Sequence, residues 1–319
     1  MAATPDETLA AERQRGKTAG ACAIAAALLT LASSVVVLIA VRDFPVVRLL
    51  DTLRSSLGLG SQDGPGPVAR GLLYFDAHIP LFAAFQLLPA IAAAALGVTL
   101  TFLYRSTVAR APQVGKVPLI AAVAGSVLLV VGALVTSVSL TLDVRAFADA
   151  TNQSEQAARD VFSSPVRDVG NYLSVIGRLA LVIAIVTSSL NAMRVGLLTR
   201  FMGVLGIIVG VLFIIPQLEG QIPFVKIVWL LGLSLLFLGR WPKAMPPAWV
   251  TGEAQPWPTQ QEIREARMAA QAERGGAKLE EKVRRPRRGR AEPPETPAPE
   301  VPRTRKPHSS SKKKKRKRR

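Results

Sequence analysis

Apolar residues along this chain are gathered into long blocks instead of alternating with charged ones. Several blocks exceed the roughly 20 residues that a helix needs to cross about 30 Å of hydrocarbon. A soluble helix of that length would carry a polar face. The pattern predicts an all-α transmembrane bundle of about six spans, at residues 18–41, 79–104, 118–142, 172–193, 201–218 and 222–239.

A short polar segment, residues 1–17, precedes the first block and ends with Arg13, Arg15 and Lys17. A secretory signal has the same layout, but its apolar region spans only about 7–15 residues. The first block is longer and is followed by further apolar blocks. It is therefore predicted to be a retained signal-anchor helix. The last two blocks, separated only by the polar residues 217–221, are predicted to form a helical hairpin.

The connections between blocks differ in charge, and this difference predicts their side of the membrane. Links 105–117 and 194–200 carry Lys and Arg with no acidic residue, whereas link 143–171 carries five acidic residues and three arginines. Lys and Arg in short loops remain cytoplasmic, while acidic residues have little influence. With six spans, both termini and the two acid-free links lie on the cytoplasmic side of the plasma membrane.

The two long external links are expected to contain structure. Apolar residues at helical spacing between Val46 and Leu57 predict a short helix, either in the membrane interface or packed onto the spans. Residues from about Arg145 to Phe162 predict an acidic surface helix broken at Pro165. Asp76 and His78 lie together at the start of the second block. One His and one acid cannot complete a metal site.

The C-terminal region carries most of the net charge of +18. Residues 240–319 contain 23 Lys and Arg against 9 Asp and Glu, a balance of +14. Residues 240–258 form a juxtamembrane segment rich in Trp and Pro. This segment is expected either in the headgroup layer or folded back onto the cytoplasmic loops. Residues 259–319 are predicted to form a disordered basic tail, because their composition cannot build a core.

Eight consecutive cations end the sequence, and they are the candidate binding residues: Lys312, Lys313, Lys314, Lys315, Arg316, Lys317, Arg318 and Arg319. Near an anionic leaflet each would contribute about 1 kcal/mol to lipid binding. The same run could bind nucleic acid, or a ribosome, through phosphates. A tail that only solubilises the chain or fixes its topology is the third alternative.

No catalytic, cofactor or metal-binding motif is found. The sequence contains two histidines and one cysteine, Cys22, which exclude zinc chemistry and Cys/His nucleophilic catalysis. Arg178 and Lys226 are the charged residues inside the blocks, and Arg178 is the candidate functional charge. Either side chain could instead snorkel to the interface. The pair Gly206 and Gly210 would allow close helix contact.

Two segments carry a resemblance to other proteins. Met193 to Arg200, continuing into the Gly-rich fifth block, and Gly239 to Pro258, with its repeated Trp and Pro, resemble uncharacterised bacterial polytopic integral membrane proteins. The likeness covers roughly residues 193–258. It implies a bacterial plasma-membrane protein and brings no activity with it.

Two functions fit these features. The first is a non-enzymatic scaffold or accessory protein whose tail binds anionic lipid or nucleic acid, with a membrane protein as a further partner. The second is an uncoupled transporter or channel for a small solute, which would need a polar cavity that includes Arg178. The sequence does not specify an oligomeric state.

Overall fold

The structure, a computed structural model, describes residues 5–42, 44, 66–215, 223–242, 244–257 and most positions between 261 and 271. Across these residues it is helical and contains no strand. The chain divides into two compact units, Met1–Trp257 and Pro258–Arg319. In the second unit, the described positions between 261 and 271 are helical.

The described part of the first unit contains helices of very different length. They are α1 Pro5–Arg42, α2 Pro67–Ala77, α3 Ile79–Arg110, α4 Val117–Asp149, α5 Glu155–Asp160, α6 Pro165–Arg194, α7 Arg200–Leu212, α8 Pro223–Phe237 and α9 Pro247–Thr251. Proline occupies the first turn of α2, α3, α4, α6 and α9. The missing amide hydrogen costs nothing there, because the first amides of a helix have no intrahelical partner.

Four helical segments are long and apolar enough to cross a membrane: Asp6–Ala40, Ile79–Arg110, Val117–Asp149 and Glu155–Arg194. Within their most apolar windows only 22–33% of the residues are buried inside the protein. The remaining apolar surface faces outward over most of each helix. A soluble monomer rarely exposes such continuous apolar area, so these flanks are suited to lipid.

Helices α7 and α8 correspond to the last two predicted spans, but they contain only 13 and 15 residues. A helix of that size is about 20 Å long, less than the hydrocarbon thickness. The two helices pack antiparallel, since Gly206 lies against Trp229 and Gly232 against Met202. The predicted turn 217–221 lies outside the described residues.

The six larger helices form a closed ring in the order α1, α3, α4, α6, α7, α8. Neighbours along the ring are antiparallel, as Gly97 beside Ala122 and Ser126, and Gly203 beside Met193, indicate. One end of this ring contains the start of α1 and the end of α3. We call it the Arg110 end, and the opposite one the Glu155 end.

The closest helix pair, α4 and α6, meets through four glycines. Gly125 and Gly132 on α4 face Gly177 and Gly170 on α6. A methyl group built on Gly125 would lie 2.8 Å from the amide nitrogen of Leu181. The backbones of α4 and α6 are therefore in contact along this line of four glycines, which we call the glycine seam. In lipid, small residues permit the close approach that drives helix association.

Helices α2 and α5 cover the Glu155 end of α4 with a small apolar cluster formed by Ala69, Leu72, Val144, Phe147 and Ala158. The Glu155 carboxylate accepts a bond from the amide of Val68, 3.2 Å away, at the start of α2. Such a carboxylate satisfies amides that a helix start leaves unpaired.

The predicted surface helix from Arg145 to Phe162 is corrected by the structure. Helix α4 continues to Asp149, and only Glu155–Asp160 forms a separate surface helix. The chain breaks between them because Ser154 caps α5, its hydroxyl accepting from the amide of Ala157 at 3.3 Å. Pro165 begins α6, as its break-forming character predicts. The helix expected between Val46 and Leu57 lies outside the described residues.

We expect Gly125→Leu to lower the thermal stability of the detergent-solubilised protein. The new side chain would meet the backbone of α6, which cannot rotate aside, and overpacking of this kind costs about 1–3 kcal/mol or more. Circular dichroism melting would measure the effect. Gly115→Leu is the control, since nothing lies within 4 Å of that position. Equal melting temperatures for the two variants would contradict the close backbone packing of α4 against α6.

Candidate functional site

A buried ion pair lies at the Arg110 end. The Arg110 guanidinium donates to both carboxylate oxygens of Glu12, at 2.5 and 2.9 Å. It also donates to the carbonyl oxygens of Ser106, at 2.9 Å, and Ala248, at 3.1 and 2.8 Å. The Arg110 side chain has no exposed area, and that of Glu12 is 9% exposed. One guanidinium thus joins α1, α3 and α9.

The Trp/Pro segment that follows α8 docks onto the same end. The indole nitrogen of Trp249 donates to the carbonyl of Leu197, and that of Trp257 to the carbonyl of Leu198, both at 2.8 Å. Residues 244–257 thus fold back onto the loop between α6 and α7, as in the second of the two arrangements expected for the Trp/Pro segment. The indoles are used for hydrogen bonds within the protein.

Gly196 makes this docking possible. Its φ is +78°, a conformation that side chains rarely adopt, and a methyl group there would collide with the carbonyl oxygen of Gln255. Beside it, the amide of Gln255 donates to the carbonyl of Val195 at 3.1 Å. A glycine is therefore needed for the backbone of the C-terminal segment to lie against the α6–α7 loop.

Aromatic rings surround the buried guanidinium. Arg110 lies over the Trp249 ring, 5.4 Å from its centre. That ring stacks on Phe102 at 6.2 Å, and Phe102 meets Phe237 edge-on at 4.8 Å. Burying an ion pair is costly unless its hydrogen-bonding capacity is used. Here the Glu12 carboxylate, two carbonyl oxygens and the face of Trp249 satisfy the guanidinium. The start of α1, the end of α3 and the C-terminal segment are therefore held together in one cluster.

A lateral groove of about 860 Å³ begins beside this cluster. Helices α1 and α4 both pack against α3, and the groove runs along α3 between them. Its α3 lining extends from Ala94 to Ala109, about 22 Å of helix. Val98, Val127 and Val131 are 47, 53 and 41% exposed, so the groove opens to the lipid-facing side.

The groove is polar at the Arg110 end and apolar further along. Arg15 and Arg105 line the polar part and are exposed. Within the described residues, neither guanidinium pairs with a carboxylate. Glu12 also lines this part, but its charge is neutralised by Arg110. Glu7 lies about 12 Å further along α1 than Arg15, away from the apolar part.

Ser106 contributes a buried hydroxyl to the same polar part. The residue is 2% exposed, and its Oγ has no hydrogen-bond partner among the described residues. Helical hydroxyls usually bond the carbonyl four residues earlier, as those of Thr99, Thr107 and Ser126 do. The Ser106 hydroxyl makes no such bond, and the same is true of the buried hydroxyls of Ser188 and Ser189 on α6.

The candidate functional charge Arg178 lies outside the groove. Its guanidinium is 5.4 Å from the centre of the Phe213 ring, and the ammonium of Lys226 is 4.9 Å from the same ring. Arg178 is half-buried and Lys226 is 8% exposed. The structure thus brings the two cations that the sequence places within apolar blocks together around one aromatic side chain at the end of α7. A functional role for Arg178 stays a prediction.

The other candidate positions that the structure describes contact neighbouring residues of the same chain. Gly206 and Gly210 face α6 of the same chain, at Ser189 and Val186. His78 stacks on Tyr74 at 4.2 Å. Within the described residues no group of three potential metal ligands occurs. The eight terminal cations lie outside the described part of the chain.

Sequence reasoning missed the ion pair and the groove. Glu12 and Arg110 lie 98 residues apart, and neither occurs in a recognisable motif. The glycine seam did leave a signal, a spacing of seven residues in Gly125/Gly132 and again in Gly170/Gly177. The prediction of close helix contact was instead placed on the shorter Gly206–Gly210 spacing.

Four membrane-length apolar helices with outward apolar flanks define the class: a membrane-embedded helical bundle. Comparison with known proteins adds no relative, because no family model, curated protein or solved structure matches the chain.

We expect Glu12→Gln to destabilise the Arg110 end. The guanidinium would remain buried without its counter-charge, which typically costs about 3 kcal/mol. The C-terminal segment should loosen, giving faster tryptic cleavage at Arg240 and a lower melting temperature. Arg13→Gln removes an exposed neighbouring charge and should change neither. A cleavage rate unaffected by Glu12→Gln would mean that the pair does not fasten the segment.

Proposed function

We propose that the chain is a bacterial plasma-membrane protein of six spans with both termini cytoplasmic. It acts as a non-enzymatic scaffold or accessory protein, and its polybasic tail binds anionic lipid or nucleic acid. The observation that carries this proposal is the docking of residues 240–257 at the Arg110 end. It supports the proposal because Trp257, the last residue before the tail, is held at this end.

The distribution of charge over the two ends supports the orientation. Among the described residues the Glu155 end carries fewer cations, namely Arg42, Arg70, Arg145, Arg159 and Arg167. Cations predominate at the Arg110 end, which carries Arg13, Arg15, Lys17, Arg105, Arg110, Lys116, Arg194, Arg200 and Arg240. Lys and Arg in short connections remain in the cytoplasm. The Arg110 end is accordingly the cytoplasmic one, and the tail starts beside the anionic leaflet.

The number of crossings supports a common side for both termini. Four long helices return the chain to the side on which α1 began. The antiparallel α7–α8 pair, which supplies the fifth and sixth spans of the proposal, then returns it once more. The contacts of Trp249 and Trp257 with the α6–α7 loop agree with this parity.

The arrangement favours a scaffold over a solute pathway. A transporter or channel would need a polar route that includes Arg178. The groove found here is bordered by α1, α3 and α4, opens sideways and does not include that residue. A side opening is suited to a membrane component and not to a water-soluble solute.

Cysteine labelling tests the orientation. In a Cys22→Ala background, Thr151→Cys should react with a membrane-impermeant maleimide in intact cells, because it is exposed at the Glu155 end. Gln113→Cys and Ala254→Cys, exposed at the Arg110 end, should react only after permeabilisation. The reverse pattern, or different behaviour of the latter two variants, would refute the proposed topology.

Removal of residues 303–319 tests the role of the tail. The full protein should bind vesicles containing phosphatidylglycerol, and the truncated one should bind more than tenfold more weakly, given about 1 kcal/mol per cation near the surface. Replacing Lys312–Arg319 with eight serines provides a control of equal length and should have a similar effect. RNA binding by both proteins, measured in parallel, would identify the preferred polyanion. Unchanged binding of both ligands at low salt would contradict the proposal.

A further inference from the structure

The groove between α1, α3 and α4 has the polarity of an amphiphile. Its cations lie at the Arg110 end, and its further lining consists of small or apolar side chains such as Gly97, Val98 and Val131. Arg15 lies three residues before the start of the first predicted span, and Arg105 directly follows the second. Both guanidinium groups are therefore expected at headgroup depth, and the valines at acyl-chain depth.

We propose that this groove binds one anionic phospholipid from the leaflet next to the Arg110 end. Arg15 and Arg105 bind the headgroup phosphate, and the Ser106 hydroxyl donates to a phosphate or ester oxygen. An acyl chain lies along Val98, Val127 and Val131. Basic pockets between membrane helices are known to bind anionic headgroups.

Three observations select this occupant. The two cations lack carboxylate partners among the described residues, so the rim favours an anion. The Ser106 Oγ is buried and unpartnered within the same described region, and a buried polar atom without a partner is costly. The valines are exposed along the groove, and its apolar part, from Ala94 to Phe102 on α3, is about 12 Å long, close to the roughly 15 Å of hydrocarbon in one leaflet.

The site is independent of the tail. It is built from α1, α3 and α4 in the first unit, whereas the terminal cations belong to the second. A failure of lipid binding at the groove would leave the tail proposal intact, and the reverse is also true. Mapping the position of the bound lipid separates the two.

Photo-crosslinking of full-length protein in vesicles tests the proposal. The probe is phosphatidylglycerol with a diazirine on one acyl chain, diluted into phosphatidylcholine at physiological salt, because high salt would also screen the exposed Arg15 and Arg105. Cross-linked peptides, identified by mass spectrometry, should map to residues 94–109 and 123–131. Phosphatidylcholine carrying the same diazirine should label these peptides several-fold less.

Two variants and two controls assign the effect to the groove. Arg15→Gln combined with Arg105→Gln should reduce labelling of these peptides about tenfold. Val98→Trp should reduce it similarly by filling the apolar part. Arg13→Gln with Arg194→Gln removes two exposed cations from the same end, and Val175→Trp adds a ring to an exposed α6 position. Neither control changes the groove, so both should label normally. Melting temperatures would verify that all four proteins fold.

Several outcomes would overturn the proposal. Labelling confined to residues 258–319 would place the lipid on the tail alone. Equal labelling by the two phospholipids, or labelling unaffected by both groove variants, would show that the groove does not select an anionic lipid. A dimer in light scattering that Val98→Trp dissociates would identify a second copy of the chain as the occupant.

Discussion

The buried pair of Arg110 and Glu12 is the contact on which the organisation of one end depends. An isolated guanidinium in this position would be expensive, because removal from water costs several kcal/mol per ion. The cost is offset by a carboxylate from α1 and carbonyls from α3 and α9. Each partner comes from a different part of the sequence. The arginine therefore defines a three-dimensional arrangement that no single helix could specify.

Lipid changes which forces can assemble the remaining helices. Apolar side chains gain little by leaving hydrocarbon for a protein interior, so close packing and polar contacts must supply the specificity. The two are used at different places. Glycines bring the α4 and α6 backbones together at mid-length, while the ion pair and the Trp249 and Trp257 hydrogen bonds fasten one end. Helices α1 and α4 are separated by α3. Neither this glycine packing nor these polar contacts join them, and a groove remains between them.

How much of this structure the sequence predicts depends on how far apart the interacting residues lie in the chain. Long apolar blocks report a local property, and the apolar central parts of all four long helices were predicted, although α1 begins at Pro5 and the other three extend six or seven residues beyond the predicted spans at one end. The length of α7 and α8 was overestimated, because apolar composition does not reveal where a helix ends. Contacts such as Glu12 with Arg110 depend on helix order around the ring. That order is set by packing, which a pattern along one chain does not encode.

The short α7–α8 hairpin connects the fold with the intramembrane charges. Arg178 lies 13 residues into α6, about 20 Å from Pro165, yet it contacts Phe213 at the end of α7. The described part of the hairpin thus reaches only partway along α6. Lys226, near the start of α8, lies at the same level on the same ring. Two basic residues that are 48 positions apart in the sequence therefore share one aromatic contact, because α6 and α8 both pack against α7.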